Sequence, residues 1–374
     1  MKIDKLIFTE QKWRSLEKKV CDNNSVDIIF VFGNVETIEK IEHHMLLKNI
    51  YPNADILSCS TAGNILDTSI DAYEAVATAI SFDTAFINSY AKKVDTTQIN
   101  KEIDELVAML DTKDLKHILL FAPGLINGSE LLDKLELPKG ITISGGLAGD
   151  NFQFKNTFIG LNDLIGNNVI SIVGLYGDSL HIAIGCETGW QEFGAKRVVT
   201  KSEKNTLYEL DHKPAIDIYK LYLGEKIKEL PNSALRFSLS VRENINDKNR
   251  VIRAMIKKNE DDSLVYAGNI KEGSIVQLMK INVANVLDGA FLSAKKIRPF
   301  NTKQSLSLAI SCATRRCVLN QLAEEEIEII QDILTQQTQI IGFYSYGEIA
   351  PFSNNLSNSL LHNQTMTITT IYEE

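Results

Sequence analysis

The sequence lacks several features that would assign it to a well-known class. No apolar run reaches the roughly 18 residues that a bilayer-spanning helix needs. The first residues, MKIDKLIFTEQKW, contain no apolar core of a secretion signal. Basic residues are in deficit, since 39 Lys and Arg face 48 Asp and Glu, for a net charge of -9. A basic face is what nucleic acids and anionic membranes attract. We therefore expect a cytoplasmic protein with no nucleic-acid or membrane partner.

Metal-binding and catalytic signatures are absent as well. The chain has 5 cysteines, and none of them form a CxxC pair. An odd number without paired spacing predicts reduced thiols in a reducing compartment and argues against a structural zinc site. We find no GxSxG elbow, P-loop, HExxH or GxGxxG sequence. The sequence therefore favours a protein that is not an enzyme.

A pattern is present three times, in residues 26–65, 117–151 and 306–349. Each stretch predicts a strand, a helical crossover and a second strand, which normally returns parallel to the first. In the second stretch we predict the helix over residues 128–135. The stretches end at Gly63-Asn64, Gly149-Asp150 and Gly347-Glu348. Such glycines are common in ordinary turns, but exposed amides at a glycine turn can also cradle an anion.

The middle of the chain has a different character. Residues 168–178 and 180–186 predict one antiparallel hairpin, and residues 198–202 and 206–210 predict another. Residues 214–223 predict a helix that Gly224 ends. We expect an α/β fold of mixed sheets, with crossover helices, antiparallel hairpins and two related halves. The predicted domains are residues 1–228 and 229–374, with a ligand between them.

The arginines and histidines offer two kinds of chemistry. Cys312 lies close in sequence to Arg315, and a thiolate near guanidinium is reactive. The alternative is a buried thiol beside an arginine that holds a carboxylate. None of the 6 histidines form a metal-ligand pair, but one histidine suffices as an axial haem ligand. His43 and His44 adjoin on a predicted helix, where we expect them to face solvent.

Several short sequences carry a family resemblance over nearly the whole chain. In the first half they are residues 58–65 (SCSTAGNI), residues 145–151 (GGLAGDN), Gly185-Cys186 with Gly189-Trp190, and Leu210-Asp211 with Lys213-Pro214-Ala215. In the second half they are Arg253, Glu272-Gly273-Ser274, Ser311-Cys312 with Arg315, residues 343–351 (FYSYGEIAP) and residues 362–367 (HNQTMT). Together they resemble the FIST family, with a FIST N part followed by a FIST C part. Asn64 departs from the glutamate expected after Gly63.

The resemblance implies an intracellular sensory module that binds a small ligand and signals to another protein. Stand-alone members of the NosP type sense nitric oxide through haem and regulate histidine kinases. With no kinase segment in this sequence, we expect signalling in trans, with a homodimer as one option. Our first hypothesis is a sensor with haem b bound through His362, which lies in the most specific motif. Nitric oxide would then weaken the iron–histidine bond and shift the surface that the kinase reads.

Two other hypotheses stay open. One is a sensor of a small carboxylate such as an amino acid, with an arginine on the carboxylate and Glu348 or Asp150 on the amine. The other is a hydrolase-like enzyme with Cys59 or Cys312 as its nucleophile. We predict that the ligand-binding residues are Gly146, Gly149, Asp150, Asn151, Arg253, Cys312, Arg315, Tyr346, Gly347, Glu348 and Asn363.

Overall fold

The computed structural model describes residues 1–133, 135–138, 140–297, 304–352 and 355–374, with the side chains of 355–358 left out. Strands dominate the described chain. In order they are β1 Lys2–Thr9, β2 Lys12–Ser15, β3 Ile28–Gly33, β4 Asp55–Ser60, β5 Asn64–Leu66, β6 Ser69–Ile70, β7 Ala75–Ser81, β8 Phe86–Lys93, β9 Leu115–Ala122, β10 Thr142–Leu147, β11 Ile159–Leu161, β12 Leu164–Gly166, β13 Val169–Tyr176, β14 Leu180–Thr188, β15 Gln191–Glu192, β16 Arg197–Glu203, β17 Thr206–Leu210, β18 Lys213–Pro214, β19 Leu239–Arg242, β20 Val251–Arg253, β21 Met255–Lys258, β22 Leu264–Tyr266, β23 Ile275–Lys280, β24 Ser305–Cys312, β25 Thr338–Ser345, β26 Gly347–Phe352, β27 Asn355–His362 and β28 Thr365–Glu373.

The helices are fewer and short. They are α1 Val35–Ile38, α2 Glu42–Ile50, α3 Ile99–Val107, α4 Ile216–Leu223, α5 Val283–Lys296, α6 Ala313–Leu319 and α7 Ala323–Ile333. Short 3₁₀ segments cover Thr96–Gln98, Gly128–Leu131, Gly224–Glu229, Asn232–Ala234 and Asn320–Leu322. In the part of the chain that the structure describes, no helix combines the length and apolar character needed to cross a bilayer.

Three sheets repeat one strand plan. Sheet I has the order β12-β11-β4-β3-β7-β1-β2, sheet II β27-β26-β10-β9-β13-β8, and sheet III β6-β5-β25-β24-β28-β14. Each contains one parallel pair, β3 with β4, β9 with β10 and β24 with β25. The parallel pairing expected from the three-fold sequence pattern is thus confirmed, as is the α/β class with mixed sheets.

The sheets exchange hairpins in a cycle. The hairpin β5-β6 leaves the end of β4 in sheet I and pairs with β25 of sheet III. The hairpin β26-β27 leaves β25 and pairs with β10 of sheet II. Strands β11 and β12 follow β10 and pair with β4 of sheet I. Both halves of the chain therefore contribute strands to shared sheets, while the boundary at residue 228 stays a prediction.

Two expectations about local structure are wrong. Strands β13 and β14 do not form a hairpin, because β13 pairs with β8 and β9 in sheet II while β14 pairs with β28 in sheet III. The crossover between β9 and β10 contains only the 3₁₀ turn Gly128–Leu131 in place of the predicted helix, whose Lys134 lies outside the described residues. The second predicted hairpin, β16 with β17, is confirmed. So is the helix α4, which ends at Gly224 in a positive-φ conformation.

The segment between β14 and β24 contains a fourth sheet, which we call the outlying sheet. It has the order β20-β19-β23-β16-β17-β22-β21, with β15 on β23 and β18 on β17. It has its own apolar core, in which helix α4 packs Tyr219 against Tyr266. The apolar core of the described residues is thus divided between this sheet and the three repeated sheets.

Three phenylalanines hold the repeated sheets together at their centre. The ring centroids of Phe32 and Phe343 are 4.8 Å apart, and Phe121 lies 6.1 and 6.2 Å from these two rings. All three side chains are fully buried. Tilted aromatic pairs at these distances add stabilisation beyond the apolar area that they bury.

We expect Phe121→Ala to lower the free energy of unfolding by about 3–5 kcal/mol, because it leaves a void among three packed rings. The control is Phe291→Ala, at an exposed position of α5. We expect it to lower the free energy of unfolding by less than about 1 kcal/mol. Urea titration measures both. Equal losses in the two variants would contradict the central role of this cluster.

Candidate ligand-binding site

The three glycine turns of the sequence pattern meet at the centre of the molecule. Main-chain hydrogen bonds join them in a cycle: Gly149 N to Ser60 O (2.9 Å), Ala62 N to Tyr344 O (2.8 Å) and Tyr346 N to Leu147 O (3.2 Å). A Cβ on Gly149 would lie 2.4 Å from the main-chain nitrogen of Ala62, so only glycine permits this approach. The Gly149 amide is therefore directed at another turn, where the sequence had suggested an anion.

A large cavity lies between this junction and the outlying sheet. Its volume is about 690 Å³, within the range of pockets that hold small molecules. Most of its walls are apolar or aromatic, including Leu125, Ile126, Leu147, Phe152, Phe154, Leu235, Ala254, Met255, Ile256, Val265, Tyr266 and Ala267. The polar residues that border it include Asn127, Asn205, Asn232, Lys257, Cys312, Thr314, Ser345, Tyr346 and Asn363.

Asn363 is the unusual polar residue of this cavity. It lies in the turn between β27 and β28, beside Gln364, whose φ is 60°. Its side chain is 1% exposed, and neither Oδ1 nor Nδ2 has a hydrogen-bond partner among the described residues. Buried amide groups are nearly always paired, so an unpaired one at a cavity wall indicates a missing partner.

A buried carboxyl group lies just behind the cavity wall. Glu348 Oε1 accepts a hydrogen bond from Ser345 Oγ at 2.6 Å, and Oε2 accepts from Thr365 N at 3.1 Å and Thr365 Oγ1 at 2.9 Å. Burial raises the pKa of Glu348 to about 7, although these hydrogen bonds and Arg315 favour the charged form. Burial, followed by the negative charge of Glu348, also raises the pKa of the Cys312 thiol.

Asp150 holds the loop that carries Phe152 and Phe154, two aromatic residues of the cavity wall. Its carboxylate accepts hydrogen bonds from the main-chain nitrogens of Phe154 (2.9 Å), Lys155 (2.6 Å) and Asn156 (3.1 Å), and from the Tyr346 hydroxyl. Burial raises the pKa of Asp150, but these hydrogen bonds outweigh it and hold the pKa below its usual value. Phe154 stacks on Tyr346 with ring centroids 4.7 Å apart.

The same loop is strained. Asn151, Phe152 and Phe154 have φ angles of 50°, 62° and 52°. Positive φ is uncommon for residues other than glycine, and it persists only where the surroundings impose it. The Asp150 carboxylate supplies that constraint, since its oxygens accept consecutive main-chain N–H groups of the loop.

Both candidate arginines are engaged by the protein itself. The Arg253 guanidinium donates to the carbonyls of Asn269 (3.1 Å), Ile252 (3.1 Å) and Leu361 (3.0 Å), and its burial lowers its pKa to about 10. Fully buried Arg315 donates to Glu326 Oε1 at 2.7 Å and to the Val286 carbonyl. Neither guanidinium borders the cavity among the described lining residues.

His362 lies at a different, smaller cavity of about 370 Å³. Its Nε2 is 3.0 Å from the Ala350 carbonyl oxygen, and its ring meets Phe352 edge to face. Burial lowers the pKa of His362 to about 4, so the imidazole is neutral. Several cationic residues border this cavity, namely Lys248, Arg250 and Lys296.

The predicted site residues therefore divide by location. Cys312, Tyr346 and Asn363 border the large cavity, and Asp150 and Glu348 lie one hydrogen bond away from it. Gly146 and Gly347 belong to the ladder between β10 and β26, and the main-chain nitrogen of Asn151 donates to Thr61 O. The ligand-binding role of each residue stays a prediction. Phe152 and Phe154 also border the large cavity and were not predicted, although two aromatic residues in a polar loop after Gly149-Asp150 were a usable signal.

The histidines on α2 correct one expectation. His43 and His44 are buried, at 1% and 2% exposure, and do not face solvent as predicted. Trp13 of β2 donates to the His43 carbonyl at 2.9 Å, because the hairpin β1-β2 covers this face of the helix. Among the described residues, no group of three or more His, Cys, Asp or Glu side chains could hold a metal ion.

We expect Asp150→Asn to lower the free energy of unfolding by about 2–3 kcal/mol at neutral pH, because an amide nitrogen would oppose a main-chain N–H. Since folding lowers this pKa, the Asp150 contribution is present above the ordinary value of 3.8 and disappears as the pH falls through the lowered value. The difference in the free energy of unfolding between the wild type and Asp150→Asn should therefore shrink as the pH falls below 3.8. Trypsin should also cut faster after Lys155, whereas Asp288→Asn at an exposed position of α5 should change neither measurement.

Glu348→Gln should behave in the opposite way. A raised pKa in the folded state costs stability as the pH rises from 4.5 to about 7. The neutral glutamine avoids this cost, and its amide can donate to Ser345 while its oxygen accepts from Thr365. We expect a gain of about 2–3 kcal/mol above neutral pH that vanishes near pH 4.5. Urea titrations across this range measure it, and a pH-independent difference would contradict the assignment.

Comparisons with known proteins place the chain in a family. A FIST N domain model matches residues 27–213, and a FIST C domain model matches residues 215–351. An uncharacterized protein of Methanocaldococcus jannaschii is 25% identical over 377 residues, which covers 88% of this chain and 72% of that protein.

Two solved structures align over most of the chain, but weakly. A cyanuric acid hydrolase from A. caulinodans has 8% identity and a TM-score of 0.34, covering 94% of this chain and 90% of its own. A chorismatase has 8% identity and a TM-score of 0.31, covering 95% of each chain. These scores are too low to carry an argument about activity. The domain matches decide the family: this chain belongs to the FIST family, with a FIST N domain followed by a FIST C domain.

Proposed function

We propose that this protein is a sensor that binds its small ligand in the large apolar cavity at Asn363. FIST domains are sensory domains that generally bind small ligands. The observation that carries the proposal is a cavity of about 690 Å³ bordered by Asn363, whose side-chain amide is buried and has no hydrogen-bond partner among the described residues. A ligand with a polar group would supply the partner that the protein does not.

The proposed signal leaves through the loop that Asp150 supports. Phe152 and Phe154 border the cavity, and Phe154 is 58% exposed, so the same loop faces both the ligand and solvent. Because three of its residues have strained backbone angles, a second loop conformation would release that strain. A ligand that contacts one conformation better shifts the balance between the two. A separate signalling protein, such as a histidine kinase, would read the loop.

Haem, our first hypothesis for the ligand-sensing cofactor, needs a histidine beside a broad apolar slot. No histidine is among the described residues that border the large cavity. His362 borders the smaller cavity, where Glu187, Thr188, Asn249 and Thr365 form much of the wall. Lysine and arginine at its edge could pair with the haem carboxylates, but this polar wall is not an apolar slot for the ring. The residues as placed do not fit haem, and our proposal does not include it.

A haem-based nitric oxide sensor is still a testable alternative. Titration of the purified protein with haemin should give no absorption band that depends on His362. A Soret band that is present in the wild-type protein and lost in His362→Ala would instead support haem binding at that residue.

The carboxylate and hydrolase alternatives lack support of the same kind. An amino-acid carboxylate would need a buried cation. Arg253 and Arg315 are hydrogen-bonded to the protein, and Lys257, which borders the cavity, is exposed to solvent. Cys312 borders the cavity, but burial raises the pKa of its thiol, and a protonated thiol is a poor nucleophile. Cys59 is fully buried. We therefore propose binding without turnover.

The proposal predicts that filling the cavity abolishes ligand binding. Ala254 borders the cavity at 7% exposure, and Ala254→Phe should project a ring into the space. A small-molecule library would be screened by thermal shift against the wild type, Ala254→Phe and the control Lys258→Phe on β21. We expect ligands that stabilise the wild type and the control but not Ala254→Phe. Ligands that stabilise all three equally would contradict the proposal.

A further inference from the structure

We infer that the ligand is uncharged and presents an amide-like edge, with a hydrogen-bond donor beside an acceptor, on an apolar body. The inference rests on the proposed function and adds to it the chemical class of the ligand. It follows from three properties of the cavity: its lack of buried charge, the two unpaired atoms of Asn363, and its aromatic walls.

The first property is the absence of a buried counterion. Among the described residues that border the cavity, the charged one is Lys257, which is exposed on β21. A charged group taken from water into an apolar site without a partner loses far more solvation than it regains.

A cationic ligand gains little from the two carboxyl groups behind the cavity wall, Asp150 and Glu348. The Asp150 carboxylate already accepts hydrogen bonds from three main-chain nitrogens and from Tyr346. Glu348 accepts from Ser345 and twice from Thr365, and it is not among the residues that border the cavity. Both are therefore occupied by the protein and shielded from the ligand.

The second property is the pair of unsatisfied atoms on one side chain. Asn363 Oδ1 can only accept a hydrogen bond, and Nδ2 can only donate. A carboxylate would leave Oδ1 without a partner, and an ammonium group would leave Nδ2 without one. A carboxamide or lactam edge has one donor and one acceptor side by side, so it pairs both atoms at once.

The third property concerns the rest of the ligand. The stacked pair Phe154 and Tyr346, together with Phe152, forms an aromatic wall. Leu235 and Met255 extend the apolar surface around it. A flat ring or a short alkyl chain buries apolar area against such walls, and flat rings also stack on aromatic faces.

Matched probes test the inference directly. Calorimetry would compare benzamide, benzoate and benzylamine, and separately hexanamide, hexanoate and hexylamine, on the full chain at neutral pH. Within each series the body is constant and only the head group changes. We expect the amide to bind at least about ten-fold more tightly than the acid or the amine.

Substitutions of Asn363 identify the contact. Asn363→Leu removes both hydrogen-bonding atoms, and Asn363→Asp keeps the shape but removes the donor. Each should weaken amide binding by about ten-fold or more, while Asn246→Leu, an exposed asparagine that does not border the cavity, should not. Urea titration establishes that the variants fold, and Asn363→Asp serves if Asn363→Leu does not.

The outcomes separate the two proposals. If the acid or the amine binds as tightly as the amide, or if the Asn363 variants keep full amide affinity, the inferred ligand class is wrong while the cavity keeps its role. If no member of either series binds the wild type, and Ala254→Phe behaves as the wild type in the library screen, the cavity is not the ligand site.

Discussion

The direct contact between three glycine-containing turns is the constraint on which the rest of this structure depends. Backbone meets backbone there, with Gly149 so close to Ala62 that a Cβ at residue 149 would lie 2.4 Å from the Ala62 nitrogen. Each turn belongs to a different repeat, and each sends its next hairpin into a neighbouring sheet. The exchange couples the sheets, so a change at one turn is felt in the strands of another repeat.

The surroundings of the cavity show two ways of handling buried polar groups. Asp150 and Glu348 are ionisable, and hydrogen-bond donors surround both carboxyl groups. Asn363, which is neutral, has no partner for its side-chain amide among the described residues. An unpaired buried amide costs a folded protein about 1–3 kcal/mol, whereas an unpaired charge costs far more. A neutral side chain such as Asn363 can therefore stay unpaired at a smaller loss of stability than a charged one.

The structural predictions from sequence were correct where they depended on a local pattern. They were wrong where a strand or side chain packs against a segment that is distant in sequence. The parallel pairs and the hairpin of β16 with β17 follow from periodicity and turn residues. The hairpin expected of β13 and β14 has the same local pattern, yet the strands join different sheets. His43 and His44 were predicted to be exposed because their neighbours are remote in sequence: the β1-β2 hairpin contacts His43, and Asp163 lies 3.4 Å from His44 Nε2.

The amino-acid sequence by itself determined the class of fold, the three repeated units, the family and several residues at the cavity, including Asn363 and Tyr346. These depend on strand and turn propensities and on short motifs, which are local properties. The tertiary structure decided which side chains are free to bind. Arg253 and Arg315 look like ligand-binding residues in the sequence, but distant carbonyls and Glu326 bind most of their N–H groups, with Arg315 Nη1 left unpaired among the described residues. Hydrogen-bond partners come from strands remote in sequence, and only folding brings them together.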